Sequence, residues 1–117
     1  MVEQHFGLRI PNDYRHFLLT RRSMDGLVPP ADSYLSIHPI ESVIGNNEAG
    51  GIQQRFPGAL VIGGDGSREM LTYDFRQSPP PLLLLDITAP DWSSGIYQAP
   101  SLTVFLAQFP DRGWLFE

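Results

Sequence analysis

Leu60-Val61-Ile62-Gly63-Gly64-Asp65-Gly66-Ser67-Arg68-Glu69-Met70-Leu71-Thr72-Tyr73-Asp74-Phe75 is the stretch from which the architecture follows. One apolar run leads into a glycine-rich segment and a second leads out of it. Gly63 to Ser67 is turn chemistry, because glycine reaches positive φ at little cost and Asp-Gly favours hairpin turns. In the second run Leu71, Tyr73 and Phe75 share one face, and Met70, Thr72 and Asp74 share the other. That alternation is the period of a strand. The spacing therefore predicts an antiparallel hairpin, with strands over 60–62 and 69–75 and a turn over 63–67.

Downstream, Ser78-Pro79-Pro80-Pro81 breaks pairing and leads into Leu82-Leu83-Leu84-Leu85-Asp86. Four successive leucines fit a strand covered on both faces or a helix segment, and the flanking prolines and Asp86 favour the strand. Ser101 is placed to cap a helix, since Leu102, Phe105, Leu106 and Phe109 recur at i, i+3, i+4 and i+7. Pro110 is expected to end it. Upstream, Ile10, Tyr14, Phe17 and Leu18 form an apolar stripe, Asp13 suits a first turn, and Arg21-Arg22 suits a last one. A helix over 11–22 is expected, with Ile10 a poor cap at its start.

The rest is less regular. Met1 to Phe6 fits one or two helical turns closed by Gly7. Residues 27–32, with Pro29-Pro30, read as a loop, and 34–37 as a strand. A brief helix over 39–44 turns Ile40, Val43 and Ile44 inward, and 45–58 reads as an irregular excursion. Helix, strands, then helix, without regular βα alternation, give an α+β single domain over 1–117. Its sheet is expected to be largely antiparallel and flanked by helices.

Composition narrows the function classes. With 117 residues the chain matches one ordinary domain. It holds 11 Gly and 11 Pro, against about 14 of the two together in an average chain of this length, so turns and short elements are many. Thirteen acids against eight bases, all of them arginine, give −5, which disfavours direct nucleic-acid binding and favours a basic protein partner. The absence of Cys excludes disulfides, thiolate zinc sites and cysteine nucleophiles. No targeting or membrane-spanning segment is seen, so a cytoplasmic protein is expected.

Catalytic and metal signatures are thin. His5, His16 and His38 lack the i, i+4 pairing of a two-histidine metal site. The 63–67 loop leads into a strand and carries no Lys, which argues against a phosphate cradle. Asp65, Ser67 and Glu69 offer three oxygens without the EF-hand pattern. Asp74, Asp86 and Asp91 fall at strand ends or loops, and no Gly-x-Ser-x-Gly elbow supports a hydrolase. No catalytic residue, metal or cofactor is expected. Trp92 lies in a polar connection, as a lid on the core or an interface anchor. Trp114-Leu115-Phe116 either docks back on the domain or covers a partner.

Ile10-Pro11-Asn12-Asp13-Tyr14-Arg15-His16-Phe17-Leu18-Leu19 resembles the helix that opens the SUKH superfamily, the Smi/Knr-like domains. Asp25-Gly26 stands where the family usually has Asn-Gly. Val61 to Ser67 with Leu71-Thr72-Tyr73-Asp74 is similar to its second signature. Leu84-Leu85-Asp86, Trp92 and Ala99-Pro100-Ser101-Leu102 with Phe105-Leu106 resemble its closing segment. Two features depart from the pattern, namely the short stretch before Pro11 and the tail over 110–117.

The resemblance implies a non-catalytic α+β domain used in bacteria as an immunity protein. Such a protein binds and neutralises a cognate toxin domain, often a nuclease, and nucleases are typically basic. A −5 chain would be steered onto one. On that reading Asp65, Glu69, Asp74, Asp86 and Asp91 lie on an exposed rim that steers the toxin, and Trp92 anchors it. These positions follow from the expected rim and not from a family binding motif. The alternative is a scaffold or regulatory interaction module of the Smi/Knr type, and a third is a small enzyme using strand-end carboxylates.

Overall fold

The protein is described by a computed structural model over residues 9–48 and 51–116. The helical turns expected over 1–6 lie outside the described residues. In chain order the elements are α1 (Asn12–Thr20), β1 (Met24–Val28), β2 (Ser33–Ile37), α2 (Ile40–Glu48) and α3 (Ile52–Arg55). They continue with β3 (Ala59–Gly64), β4 (Glu69–Asp74), β5 (Leu82–Asp86), a 3-10 turn (Trp92–Ser94), β6 (Ile96–Ala99) and α4 (Leu102–Arg112). The strands form one six-stranded sheet in chain order, each antiparallel to its neighbour. The fold is α+β, as the residue pattern and the resemblance imply.

The predicted hairpin sits at the centre of the sheet, and both of its faces are covered. Leu60, Ile62, Leu71 and Tyr73 join Tyr14 and Phe17 of α1 and Phe105 and Phe109 of α4 in the main core. Ala59, Val61 and Met70 turn the other way, to Ile52, Phe56 and Leu85, with Trp92 packed against them. Each strand residue alternates between two apolar layers, which is why β3 reads as a continuous apolar run.

Gly63 and Gly64 belong to β3, not to the turn, which is shorter than expected. A Cβ on Gly63 would collide with the Ser36 carbonyl oxygen, and one on Gly64 with the Glu69 carbonyl oxygen. Glycine is needed there so that backbones can approach closely. β2 pairs with β3 only at Ser36↔Gly64 and Ile37↔Gly63, and the β3–β4 register shifts between Val61 and Gly63. Where β2 has left, Asn47 of α2 takes over the edge. The Val61 N–H donates to Asn47 Oδ1 at 2.7 Å, and Asn47 Nδ2 donates to the Val61 and Val43 carbonyls, both at 2.8 Å. Asn47 is fully buried. Its amide replaces the missing strand.

Asp13 joins the two helices of the main core. One carboxylate oxygen accepts from the Tyr14 N–H at 2.9 Å. The other accepts from the Thr103 N–H at 2.9 Å and hydroxyl at 3.0 Å, in the first turn of α4. It serves where the N-cap of α1, Pro11, makes no side-chain bond. Ser101 caps α4 as predicted, accepting from the Val104 N–H at 3.2 Å.

Several expectations need correction. β1 takes Leu27 and Val28 from the loop expected over 27–32 and begins at Met24, where no strand is expected, because Met24-Asp25-Gly26-Leu27-Val28 has little strand propensity and is held by register with β2. β6 was likewise not expected. The 45–58 excursion is largely helical, since α2 runs to Glu48 and α3 follows. Pro110 sits inside the last turn of α4, where its missing N–H forfeits a single bond, and Gly113 closes the helix at φ 63°. The tail docks back on the domain. Trp114 packs on Phe105 and Phe109 and donates its indole N–H to the Tyr34 carbonyl at 2.9 Å. The Gln98 amide holds both the N–H and the carbonyl of Leu115.

The close approach at the two strand glycines yields a test. Gly63→Ala should destabilise by about 3 kcal/mol or more, since backbone must move. Gly45→Ala, with open space around the helical position, should instead stabilise by about 0.5–1 kcal/mol. Urea unfolding of the two variants beside the parent measures both.

Candidate functional site

The β3–β4 turn runs from Asp65 to Arg68, and Asp65 organises it. Its Oδ1 accepts from the N–H of Ser67 at 2.9 Å and of Glu69 at 3.2 Å, a local bonding habit of aspartate in turns. Glu69 opens β4 in register with Asp86, the last residue of β5. Asp86 accepts from the Thr88 N–H at 2.8 Å and hydroxyl at 2.6 Å, and Arg68 approaches it at 3.5 Å. Three of the predicted acids therefore meet at one end of the sheet.

Their electrostatics are strained in one place. Burial, and then the charges of Asp86 and Asp65, push the Glu69 carboxyl above its ordinary value against the opposing pull of Arg68. Asp86 is held below the usual range by its bonds from Thr88. Like charges set opposite one another across strands cost stability. Arg68 alone offsets only part of that repulsion.

Three residues that sequence reasoning missed, Tyr34, Asp25 and Leu27, adjoin this end. The Tyr34 hydroxyl donates to Asp25 Oδ1, and its ring lies 2.7 Å from where a Cβ on Gly66 would stand. Tyr34 is 36 % exposed, and its register partner Leu27 is 65 % exposed. The Tyr34 ring thus reaches the turn at Gly66, while strand alternation sets Asp25, Leu27 and Tyr34 on the face of the sheet opposite to that of Glu69 and Asp86. The signal lay in β1, whose pairing places Asp25 and Leu27 beside β2.

The remaining predicted residues lie elsewhere. Asp74 closes β4, five residues from Glu69 and about 17 Å away at strand rise. It is fully buried and not on an exposed rim. Arg76 donates to it through Nε, Nη2 and its backbone N–H, at 2.9, 2.9 and 3.0 Å, and Gln77 adds a bond at 3.2 Å. Burial on its own would raise the Asp74 carboxyl, yet these bonds hold it below the ordinary range. The Arg76 guanidinium then lies 4.1 Å over the Trp92 ring. Trp92 is half-buried, edge-on to Phe56, and donates its indole N–H to the Pro57 carbonyl at 3.0 Å. It is a lid on the second core. Asp91 is exposed and caps the 3-10 turn by accepting from the Ser93 N–H.

No helix among the described residues is long and apolar enough to cross a membrane. A family model described as the SMI1 / KNR4 family (SUKH-1) matches residues 1–108 of the chain. Curated proteins give no match.

The two ends of β4 predict opposite behaviour. Asp74, depressed in the folded state, adds stability above its unfolded pKa and loses it as pH falls through the folded value. Asp74→Asn should cost about 1–3 kcal/mol at neutral pH, and its melting temperature should fall less than the parent's below about pH 4. Glu69 is raised, so its charge opposes folding at neutral pH and ceases to do so on acidification. Glu69→Gln should therefore stabilise by about 0.5 kcal/mol in low salt, with the gain shrinking in acid. Thermal melts across pH read both.

Proposed function

The chain belongs to the SMI1 / KNR4 family (SUKH-1), and on that premise we propose that it is a non-catalytic immunity protein. It neutralises a cognate toxin domain in the bacterial cytoplasm by covering the toxin's active site or substrate groove. One observation carries the choice of surface: Glu69 is kept opposite Asp86 and near Asp65 although the arrangement costs stability. A cationic partner surface would relieve that repulsion on binding. Tyr34, whose ring reaches Gly66 of the turn, supplies the aromatic anchor in place of Trp92.

The chemistry of the pair is plain. A toxin that grips phosphates carries arginines and lysines, and carboxylates from two strands and a turn can meet them. Such contacts speed encounter and fix orientation, while Tyr34 and Leu27 exclude water at the centre. Asp91, exposed in the β5–β6 connection, adds to long-range steering. Asp74 takes no part in contact, since its oxygens are occupied by Arg76 and Gln77.

The test starts with the tagged protein, used to capture its partner from host lysate, and continues with the purified partner domain. The parent should inhibit that domain's activity at one-to-one stoichiometry. Asp65→Asn/Glu69→Gln/Asp86→Asn should bind at least about tenfold more weakly, chiefly through slower association, and lose the parent's salt dependence. Uninhibited activity would refute the immunity reading, whereas full-strength binding by the triple variant would refute this surface.

A further inference from the structure

The two edges of the sheet are finished differently. At β6 the chain's own groups close the edge. Gln98 Nε2 donates to the Ile96 carbonyl at 3.2 Å and to the Leu115 carbonyl at 2.7 Å. The Leu115 N–H donates to Gln98 Oε1 at 3.0 Å, and Arg112 Nη2 reaches the Gln98 carbonyl at 3.5 Å. At β1, the other edge, no such bond is made among the described residues. Lysine, proline and bulges are the usual guards of an open edge. Met24-Asp25-Gly26-Leu27-Val28 has no lysine or proline and pairs with β2 without a shift of register.

The direction of the open groups follows from β2. The His38 N–H donates to the Ile62 carbonyl at 2.8 Å, and the Tyr34 carbonyl accepts from Trp114 at 2.9 Å. The backbone groups of Tyr34, Ser36 and His38 are therefore turned away from β1. Residues opposite one another in an antiparallel ladder either bond mutually or turn their N–H and C=O groups apart. Tyr34 and Ser36 stand opposite Leu27 and Asp25. Asp25 and Leu27 thus aim two N–H and two C=O groups out of the sheet, at the spacing one more strand requires. Both residues are exposed, and no atom lies within 4 Å of where a Cβ on Gly26 would stand.

We propose that β1 takes an extended, basic segment of the partner as a seventh strand. This deepens the immunity reading and rests on it for the partner's identity. Four backbone groups in this array are met together by another extended backbone. Asp25 sets the sign: one of its oxygens takes the Tyr34 hydroxyl, which leaves the other for a lysine or arginine on the residue opposite. An apolar residue fits opposite Leu27, and a ring between the two covers Gly26. A second copy would bring a like charge of −5 to the same edge. The Tyr34 ring, which reaches Gly66, makes the edge continuous with the acidic turn.

A capped peptide, Thr-Thr-Val-Tyr-Lys-Thr-Thr, titrated into the isotope-labelled full chain, is the probe. Saturable shifts should centre on the β1 amides. N-methylation at the valine and lysine, whose N–H groups reach β1, should weaken binding at least about tenfold, and N-methylation at the tyrosine should not. Glutamate in place of the lysine should weaken it about threefold, and Asp25→Lys should reverse that preference. In the free protein the Asp25 and Leu27 amides should exchange fast and the Gly26 amide slowly. The captured toxin domain should slow the first two at least about tenfold. Equal loss from both N-methylation patterns would overturn the proposal. Unmoved exchange at Asp25 and Leu27 in a complex that inhibits the toxin would overturn it too, and would leave the immunity reading standing. So would exchange at both that slows with concentration in the free protein, which would assign the edge to a second copy. A toxin left uninhibited would refute the immunity reading, and the peptide series would still decide whether β1 accepts a basic strand.

Discussion

The sheet depends on the crossing of three strands at Gly63 and Gly64. Here the backbone of β3 lies so close to Ser36 of β2 and Glu69 of β4 that no side chain fits. From that contact β2 diverges, and the freed edge of β3 has polar groups that must be met by other means. Asn47 meets them, which fixes where α2 lies. The same crossing delivers Asp65 and Glu69 to the end of the sheet, beside Tyr34 on the departing strand. The constraint that shapes the fold thus also composes the surface.

Two aspartates show how alike residues acquire different roles. Asp13 spends both oxygens joining α1 to α4, and Asp74 spends both on Arg76 and Gln77. Each is structural, and each is silent toward a partner. Asp65 and Asp86 also accept local bonds, but they do so at an exposed turn and strand end, where charge is still felt outside. The repulsion at Glu69 is tolerated there, against the interest of stability. Such local conflict in an otherwise consistent fold is expected at a functional surface.

The elements with strong local periodicity were legible. The hairpin announced itself through alternation around Asp-Gly, and α4 through Ser101 and its apolar spacing. β1 was not legible, because Asp25 and Gly26 are weak strand formers and only pairing with β2 makes the segment extended. The same non-local pairing sets the Asp25–Tyr34 bond and with it the Tyr34 ring beside the turn. Asn47 was hidden because its partner, Val61, lies 14 residues away, beyond any local pattern. Asp74 reads in the sequence as a solvated strand-end acid, although Arg76 two residues on hints that its charge can be matched internally. Trp92 could be weighed in sequence as lid or anchor, and Phe56, Pro57 and Arg76 make it a lid.

Amide hydrogen exchange, measured on the protein alone and with its captured partner, bears on the central claim, that the turn end of the sheet is the toxin-facing surface. Slowed exchange in complex should concentrate at residues 65–69 and 86–88 and in the β1–β2 pair, with the buried Asp74–Arg76 end of β4 unchanged. Protection confined to α1 and α4, or absent from the 65–69 turn, would mean that the acids at this end steer nothing and that the binding face lies elsewhere.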